Sequence, residues 1–238
     1  MRSRPVAAWG FPFQAESNDD ALVRLIDWCY GDLPDATGPA SCFEVMQRAD
    51  QRYSVAWRDV DGSVVPCGDG RALDSVMELL TWEVNRRVMR SAGAGVVVHG
   101  AAFAGPLGAV VLTAPSECGK STLAAAAAQR GWVHLGDDVV LIDGARREVY
   151  PFARPIMLRP GGRELLGVMP ALVAAHAPFM ADEWYVPASA LGAAVVHGAV
   201  PLVAVGVLVR GGGAGLAPLS AAAALHALAQ QSPSLAHA

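Results

Sequence analysis

The hydrophobic and polar positions in the first part of the chain follow two successive periods. Three short apolar runs separated by polar turns favour an antiparallel ribbon or small sheet. These runs are FEVM (43–46), YSVAWRD (53–59) and SVVPC (63–67). From Leu73 to Met89 the apolar residues recur at helical spacing, which predicts an amphipathic helix. Residues 1–95 are therefore interpreted as a small N-terminal α+β lobe.

The rest of the chain, residues 96–238, alternates apolar runs with helical patterns and predicts an α/β domain. The predicted strands cover residues 96–103, 108–113, 139–142, 148–152, 156–158 and 202–210. Helices are expected over the alanine-rich segment 121–129, near 163–167, and from Ser220 as N-cap through Ala229. Other segments are predicted to be loops and turns. These lie around Pro170, Pro178 and Pro187 and at Gly211–Gly213.

The composition is that of a globular protein with an acidic balance. Of 238 residues, 53% are hydrophobic and 17% are charged, which provides ample material for a buried core. The formal net charge is −4 and the pI is near 5.8, whereas binding to a nucleic-acid backbone needs a basic face. Nucleic acid is therefore not expected among the partners.

The sequence lacks the pattern of a membrane span or a signal peptide. The apolar stretch 194–209 is interrupted by His197, Gly198 and Pro201. The N-terminal sequence MRSRPVAAWGFPF carries positive charge but has no sustained apolar core. We therefore expect a cytoplasmic protein without a membrane partner.

The segment APSECGKST, residues 114–122, has the pattern of a phosphate-binding P-loop between a strand and a helix. Such a loop needs converging backbone N–H groups, a helix N-terminus, a cation and a hydroxyl for the metal. Gly119 allows close approach of the backbone, Lys120 reaches the β and γ phosphates, and Ser121 ligates Mg²⁺. The sequence therefore predicts binding of ATP with Mg²⁺. The residues expected around the nucleotide are Ala114, Pro115, Ser116, Glu117, Cys118, Gly119, Lys120, Ser121 and Thr122.

Two residues depart from the usual form of this loop. Its first position is usually glycine and is Ala114 here, which would be costly if the backbone required a positive φ. Glu117 puts a carboxylate at the tip of an anion-binding loop, where it weakens phosphate affinity unless it points to solvent, a metal or a partner. We expect a modest change of loop geometry, with binding retained.

Three further residues are candidates for catalysis alongside Lys120. Asp137 and Asp138 are expected at the start of the strand after the loop helix, where adjacent carboxylates can divide the roles of metal ligand and base. Asp137 is the expected metal ligand beside Ser121. The alternative for the pair is a solvated turn or a helix cap. His99 precedes the loop, although a single histidine on a strand more often has a structural role.

With this joint spacing, the sequence resembles the catalytic domain of HPr kinase/phosphorylase. It resembles more closely the HPr-kinase-related proteins that include peptide-tailoring kinases of lasso-peptide clusters. In that family a His-Gly precedes the loop by the interval from His99 to Ala114. An Asp-Asp follows it by the interval from Lys120 to Asp137-Asp138. Two further similar segments are YPFARPIMLRPG (150–161) and APLSAAAALHALAQQS (217–232). The resemblance covers about residues 80–232.

The resemblance implies a P-loop nucleotide-binding domain of the HPr kinase/PEP carboxykinase-like type over residues 96–238. It implies a kinase that transfers the γ-phosphoryl group of ATP to a serine hydroxyl of a peptide or small protein, such as a lasso-peptide precursor. By the same resemblance, Asp137 or Asp138 acts as base and His99 lies near the transferring phosphate. Self-association is also expected, because kinases of this family are commonly oligomeric.

Two other functions fit the same motifs. The departures at Ala114 and Glu117 suit a non-catalytic nucleotide-binding accessory or regulatory protein. A kinase for a small metabolite is the second alternative, since a fold does not select the acceptor.

Three more positions bear on the resembled chemistry. Thr122 replaces the acidic residue that follows the Gly-Lys-Ser sequence in the family, so reversal by phosphorolysis is not expected. Arg154 and Arg159 are candidates for neutralising phosphate charge. A surface position or pairing with a carboxylate is the alternative for each.

Overall fold

The computed structural model describes residues 1–168, 183–211 and 215–232. Helices and sheets are mixed within them, as expected for the α/β class. The chain divides into two compact units. The first contains Met1–Ser91 and Met157–Pro187, and the second contains Ala92–Ile156 and Ala188–Ala238. The loops predicted around Pro170 and Pro178, and the turn residues Gly212 and Gly213, lie outside the described residues.

A five-stranded sheet forms the centre of the first unit. Its strands are β1 (Val6–Ala8), β2 (Phe11–Ser17), β3 (Ser41–Gln47), β4 (Tyr53–Arg58) and β5 (Val64–Gly70). They lie side by side in chain order, with β2 and β3 parallel and the other neighbours antiparallel. The last three strands confirm the three predicted apolar runs.

Two helices accompany this sheet, α1 (Asp20–Cys29) and α2 (Leu73–Arg90). The second confirms the predicted amphipathic helix, because the periodic residues Val76, Leu80 and Val84 are all buried. The first was not predicted. Its N-cap is Asp19, whose side chain accepts hydrogen bonds from two amides of the first turn.

A seven-stranded mixed sheet forms the centre of the second unit. The remaining strands are β6 (Val96–Val98), β7 (Gly100–Gly105), β8 (Gly108–Thr113), β9 (Val133–Asp137), β10 (Val140–Asp143), β11 (Glu148–Tyr150), β12 (Ile156–Leu158), β13 (Trp184–Val186) and β14 (Val200–Val207). The sheet has the order β6-β10-β11-β14-β8-β7-β9, while β12 pairs with β13 separately. Within the large sheet β14 and β8 are parallel, and the other neighbours are antiparallel.

Three further helices follow in the chain. They are α3 (Lys120–Ala128), α4 (Pro160–Leu166) and α5 (Ala221–Gln230). The helix α3 packs against β7 and β9 and buries Ala124, Ala125 and Ala128. Ser220 caps α5 as predicted, since its hydroxyl accepts the N–H of Ala223 at 3.2 Å. Among the helices that the structure describes, none has both the length and the apolar character needed to cross a membrane.

The segment Met157–Pro187 belongs to the first unit, whereas the sequence pattern places it in the domain predicted over residues 96–238. The Sγ atom of Cys29 lies 3.9 Å from the carbonyl oxygen of Tyr185. The guanidinium of Arg163 stacks 4.1 Å from the centroid of the Trp184 ring. Contacts over such sequence distances leave no trace in local periodicity, so a sequence pattern does not reveal this return of the chain.

Two details near the candidate site differ from the predicted strands. The run 96–103 is divided at His99 into β6 and β7. At Gly100 a Cβ atom would lie 2.5 Å from the carbonyl oxygen of Leu112, so only glycine allows this close approach. The prediction that Asp137 and Asp138 begin a strand was wrong, because β9 ends at Asp137. The strand β9 has the sequence VHLGD, whose polar and glycine residues interrupt the apolar run that would predict a strand.

Candidate functional site

The candidate site lies at one edge of the seven-stranded sheet, within the second unit. The strand β7 lies between β8 and β9 and is antiparallel to both, so the carboxyl ends of β8 and β9 meet at the start of β7. Thr113 pairs with Gly100, and Asp137 pairs with the next residue of β7. This topology gathers the loop after β8, the Asp137-Asp138 pair and His99.

Residues 114–119 form the loop between β8 and α3. Ala114 is buried and has no positive φ, so its methyl group is accommodated without left-handed strain. Glu117 has a φ of 65° and is exposed, which directs the loop tip to solvent. Gly119 has a φ of 97° as the N-cap of α3. The other loop residues, Pro115, Ser116 and Cys118, are exposed or half-buried.

Lys120 begins α3 and is the only lysine among the 18 basic residues of the chain. Its Nζ atom donates to the carbonyl oxygens of Ala114 at 2.8 Å and Pro115 at 3.0 Å. Burial lowers the pKa of Lys120, and the charge of Asp137 opposes this lowering. An ammonium group has three N–H donors, so these two bonds leave one donor for a further acceptor.

Ser121 and Asp137 form a hydroxyl–carboxylate pair. The Ser121 hydroxyl donates to Oδ1 of Asp137 at 3.0 Å, and Asp137 is 1% exposed. Hard oxygen atoms of this kind suit Mg²⁺, which is bound by one or two carboxylates and keeps several waters. The donor set therefore fits Mg²⁺. The described ranges contain no larger group of three or more His, Cys, Asp or Glu residues arranged for a metal ion.

Asp138 is held on both oxygens of its carboxylate. Its φ is 72°, a left-handed conformation that Asp tolerates better than most residues. The Oδ1 atom lies 2.9 Å from Nδ1 of His99, and Oδ2 lies 2.6 Å from Nη1 of Arg154. Burial raises the pKa of Asp138, but the hydrogen bond from His99 and the charge of Arg154 outweigh it and lower the pKa well below its ordinary value. The carboxylate is therefore ionised at neutral pH.

His99 is fixed through both its backbone and its ring. Its N–H donates to the carbonyl oxygen of Gln231 at 2.6 Å, and its carbonyl oxygen accepts from the Thr113 hydroxyl at 3.4 Å. The ring Nδ1 also lies 3.1 Å from the main-chain oxygen of Asp138. The side chain is 35% exposed, so the ring remains accessible from solvent.

For Arg154 the sequence allows three roles, which are neutralising phosphate charge, a surface position and pairing with a carboxylate. It is 1% exposed, and its carbonyl oxygen lies 3.3 Å from Nε2 of the buried His134, a residue that is not among the predicted site residues. A charged residue inside the apolar run PFARPI is a signal for a carboxylate partner, because an isolated buried charge is costly. Arg159 belongs to the first unit, where its Nε pairs with Glu183 at 2.8 Å.

Comparisons of the chain with protein-family models, with curated proteins and with solved structures found no match. The resemblance to HPr-kinase-related proteins therefore stays a prediction from the motifs. What the structure adds is the geometry of the residues that carry those motifs.

Proposed function

We propose that this protein is an ATP-dependent kinase that transfers the γ-phosphoryl group to a serine hydroxyl of a peptide or small protein. The observation that carries the proposal is the convergence, at one sheet edge, of a lysine-bearing loop, a hydroxyl–carboxylate pair and a histidine–carboxylate pair. Phosphoryl transfer uses a phosphate cradle, a metal site and a group that positions or deprotonates the nucleophile. Each of these parts has a candidate here.

On the nucleotide side, the loop and the first turn of α3 would bind the phosphates. Main-chain N–H groups at a helix N-terminus favour anions, and Lys120 would exchange its bonds to loop carbonyls for bonds to the β and γ phosphates. Ser121 and Asp137 would hold Mg²⁺, which supplies charge neutralisation on the phosphate oxygens. The fold would then be a P-loop nucleotide-binding domain of the HPr kinase/PEP carboxykinase-like type with a small N-terminal lobe.

On the acceptor side, His99 and Asp138 favour a kinase over a nucleotide-binding accessory protein. A protein that only senses a nucleotide has no need of an oriented histidine–carboxylate pair beside its phosphate loop. The peptide nature of the acceptor, a lasso-peptide precursor for example, rests on the resemblance of the motifs, as does the expected self-association.

A lysine-directed ATP probe tests the nucleotide site. An acyl-phosphate derivative of ATP acylates lysine amines close to bound phosphates, and Lys120 is the only lysine side chain available. We expect labelling at Lys120 that excess ATP with Mg²⁺ prevents. The exposed Arg130 gives the matched control, because Arg130→Lys supplies a second lysine away from the loop. Equal labelling of both lysines, or labelling that ATP does not prevent, would contradict nucleotide binding.

Transfer is tested with γ-labelled ATP, Mg²⁺ and a library of serine-containing peptides, each paired with its serine-to-alanine counterpart. We expect label on serine peptides alone, and a loss of about 100-fold or more in Lys120→Met. Nucleotide-site labelling without any transfer would favour the accessory protein. Transfer only to small hydroxyl metabolites would favour a metabolite kinase.

A further inference from the structure

The histidine–carboxylate pair contains two groups that can accept a proton from the attacking hydroxyl, and its geometry distinguishes them. We infer that Nε2 of His99 accepts the proton from the acceptor serine, and that Asp138 orients the imidazole. This inference rests on the proposed kinase function and divides the roles within that site.

The two nitrogens of the His99 ring differ in their surroundings. Nδ1 faces two acceptors, the Asp138 carboxylate at 2.9 Å and the Asp138 main-chain oxygen at 3.1 Å. An acceptor pair of this kind requires the proton to be on Nδ1, which leaves the lone pair of the neutral ring on Nε2. The His99 side chain is 35% exposed, so part of it is accessible from solvent.

Both carboxylates of the site already accept hydrogen bonds from other side chains. Asp138 already accepts from His99 on Oδ1 and from Arg154 on Oδ2, so a serine hydroxyl would compete with one of these bonds. Asp137 is 1% exposed and accepts the Ser121 hydroxyl. The described contacts of the His99 ring involve Nδ1, so Nε2 is the basic atom of this cluster that they leave available.

The position of His99 suits this role. Its carbonyl oxygen accepts from Thr113, the last residue before the loop. The Asp138 that orients it directly follows Asp137, the partner of Ser121 in the first turn of α3. His99 and Asp138 are therefore connected, through Thr113 and Asp137, to both the start of the loop and the N-terminus of α3.

The proposed step transfers one phosphoryl group and one proton. The serine oxygen forms a bond to the γ-phosphorus as the bond from that phosphorus to the β–γ bridging oxygen breaks, and ADP leaves with the electron pair. The serine proton passes to Nε2 of His99. The resulting imidazolium pairs with the Asp138 carboxylate, and the proton is later released to solvent. Such an arrangement follows the general logic of a histidine base oriented by a carboxylate.

Determining the tautomer of the His99 ring by NMR tests the inference without enzymatic turnover. In ¹⁵N-labelled protein, long-range ¹H–¹⁵N correlations distinguish protonated from bare ring nitrogens, and comparison with a His99→Gln variant assigns the signal among the six histidines. We expect the neutral ring to carry its proton on Nδ1. A proton on Nε2 would overturn the inference whatever the activity.

Kinetics with γ-labelled ATP and a serine peptide that the wild type phosphorylates supply the second test. We expect His99→Ala to lower kcat by about 10²–10⁴-fold, with added imidazole partly restoring the rate and with probe labelling of Lys120 unchanged. Asp138→Ala should lose less, and the double variant should lose no more than His99→Ala. The exposed His226 provides the matched control, since His226→Ala should keep full activity without imidazole.

Three outcomes overturn the inference while leaving the kinase in place. Asp138→Ala losing more than His99→Ala would make the carboxylate the base. Imidazole without effect would point to a structural role for His99. Acid-labile label on the protein would make His99 a nucleophile. A wild type that labels at Lys120 yet transfers nothing would instead remove the proposed function, and the inference with it.

Discussion

Two buried arginines, one in each unit, hold carboxylates in different ways. Arg87 of α2 forms an ion pair with Glu83 one turn earlier and stacks 4.5 Å from the centroid of the Trp57 ring. The Glu83 side chain is 4% exposed. Arg154 is buried still more deeply, at 1% exposed against 8% for Arg87, but the Asp138 side chain that it contacts is 36% exposed. The first carboxylate is enclosed, whereas the second remains open to solvent.

This difference separates a carboxylate that serves the fold from one that is available for chemistry. In the enclosed pair, burial removes water from the guanidinium of Arg87 and thereby lowers its pKa. In the second unit the cation is buried while its carboxylate partner reaches the surface and also contacts His99. A protein with both arrangements allows the consequences of enclosure and of exposure to be measured in one chain.

The largest expected effect comes from the enclosed pair. Glu83→Gln leaves the buried cation of Arg87 without its counter-charge, and breaking a buried pair in this way costs about 3–5 kcal/mol of the free energy of unfolding. Chemical denaturation monitored by circular dichroism measures it. The exposed Glu78 on the same helix is the matched control, and Glu78→Gln should change stability little. Similar losses in the two variants would mean that enclosure has no special importance.

The open pair should respond in activity more than in stability. Arg154→Met removes one of the two groups that fix Asp138, so we expect kcat for peptide phosphorylation to fall about 10–100-fold, the range found when supporting contacts of a site are removed. Because Asp138 reaches solvent, stability should fall by less than in Glu83→Gln. Titration with the ATP probe should show unchanged labelling of Lys120. A variant as unstable as Glu83→Gln, with normal kcat per folded molecule, would reverse the comparison.

Acid should weaken the open pair in a predictable direction. The pKa of Asp138 is lowered in the folded protein from its ordinary 3.8, so its contribution to stability is present above about pH 4 and is lost as the pH falls toward the folded pKa. Arg154→Met lets that pKa rise. The stability difference between wild type and variant should therefore shrink as the pH is lowered from neutral to below 4. Denaturation curves across this range measure it, and a difference that grew in acid would contradict the assigned charge state.

These charge arrangements also mark what local sequence can and cannot predict. Periodicity located α2, and the N-cap pattern located α5, because both depend on neighbouring residues. The spacing around the loop singled out Ser121 and Asp137, which the structure brings within 3.0 Å. The sequence did not show which carboxylate each of Arg154 and Arg159 contacts, because both arginines follow short apolar segments. Their partners depend on strand order, which brings the end of β9 near the apolar segment that carries Arg154.

The smallest expected effect concerns a third carboxylate, on the loop itself. Glu117 is exposed and has a φ of 65°. Its negative charge disfavours phosphate binding, and its left-handed backbone conformation disfavours a residue other than glycine. Glu117→Gly removes the charge next to the phosphates and relieves the left-handed strain. We expect ATP with Mg²⁺ to bind about 2–5-fold more tightly, since exposed charges contribute up to about 1 kcal/mol, and the gain should shrink at high salt.

A matched pair of variants separates the two causes at Glu117. Glu117→Gln removes the charge but keeps a side chain at a positive φ, so a gain equal to that of Glu117→Gly assigns the effect to charge. A gain seen only in Glu117→Gly assigns it to the backbone. The concentration of ATP that protects Lys120 from labelling by the acyl-phosphate probe compares the affinities of the two variants. Weaker binding in both variants would mean that the carboxylate supports the nucleotide site, which would place Glu117 with Asp138 among the carboxylates that serve chemistry.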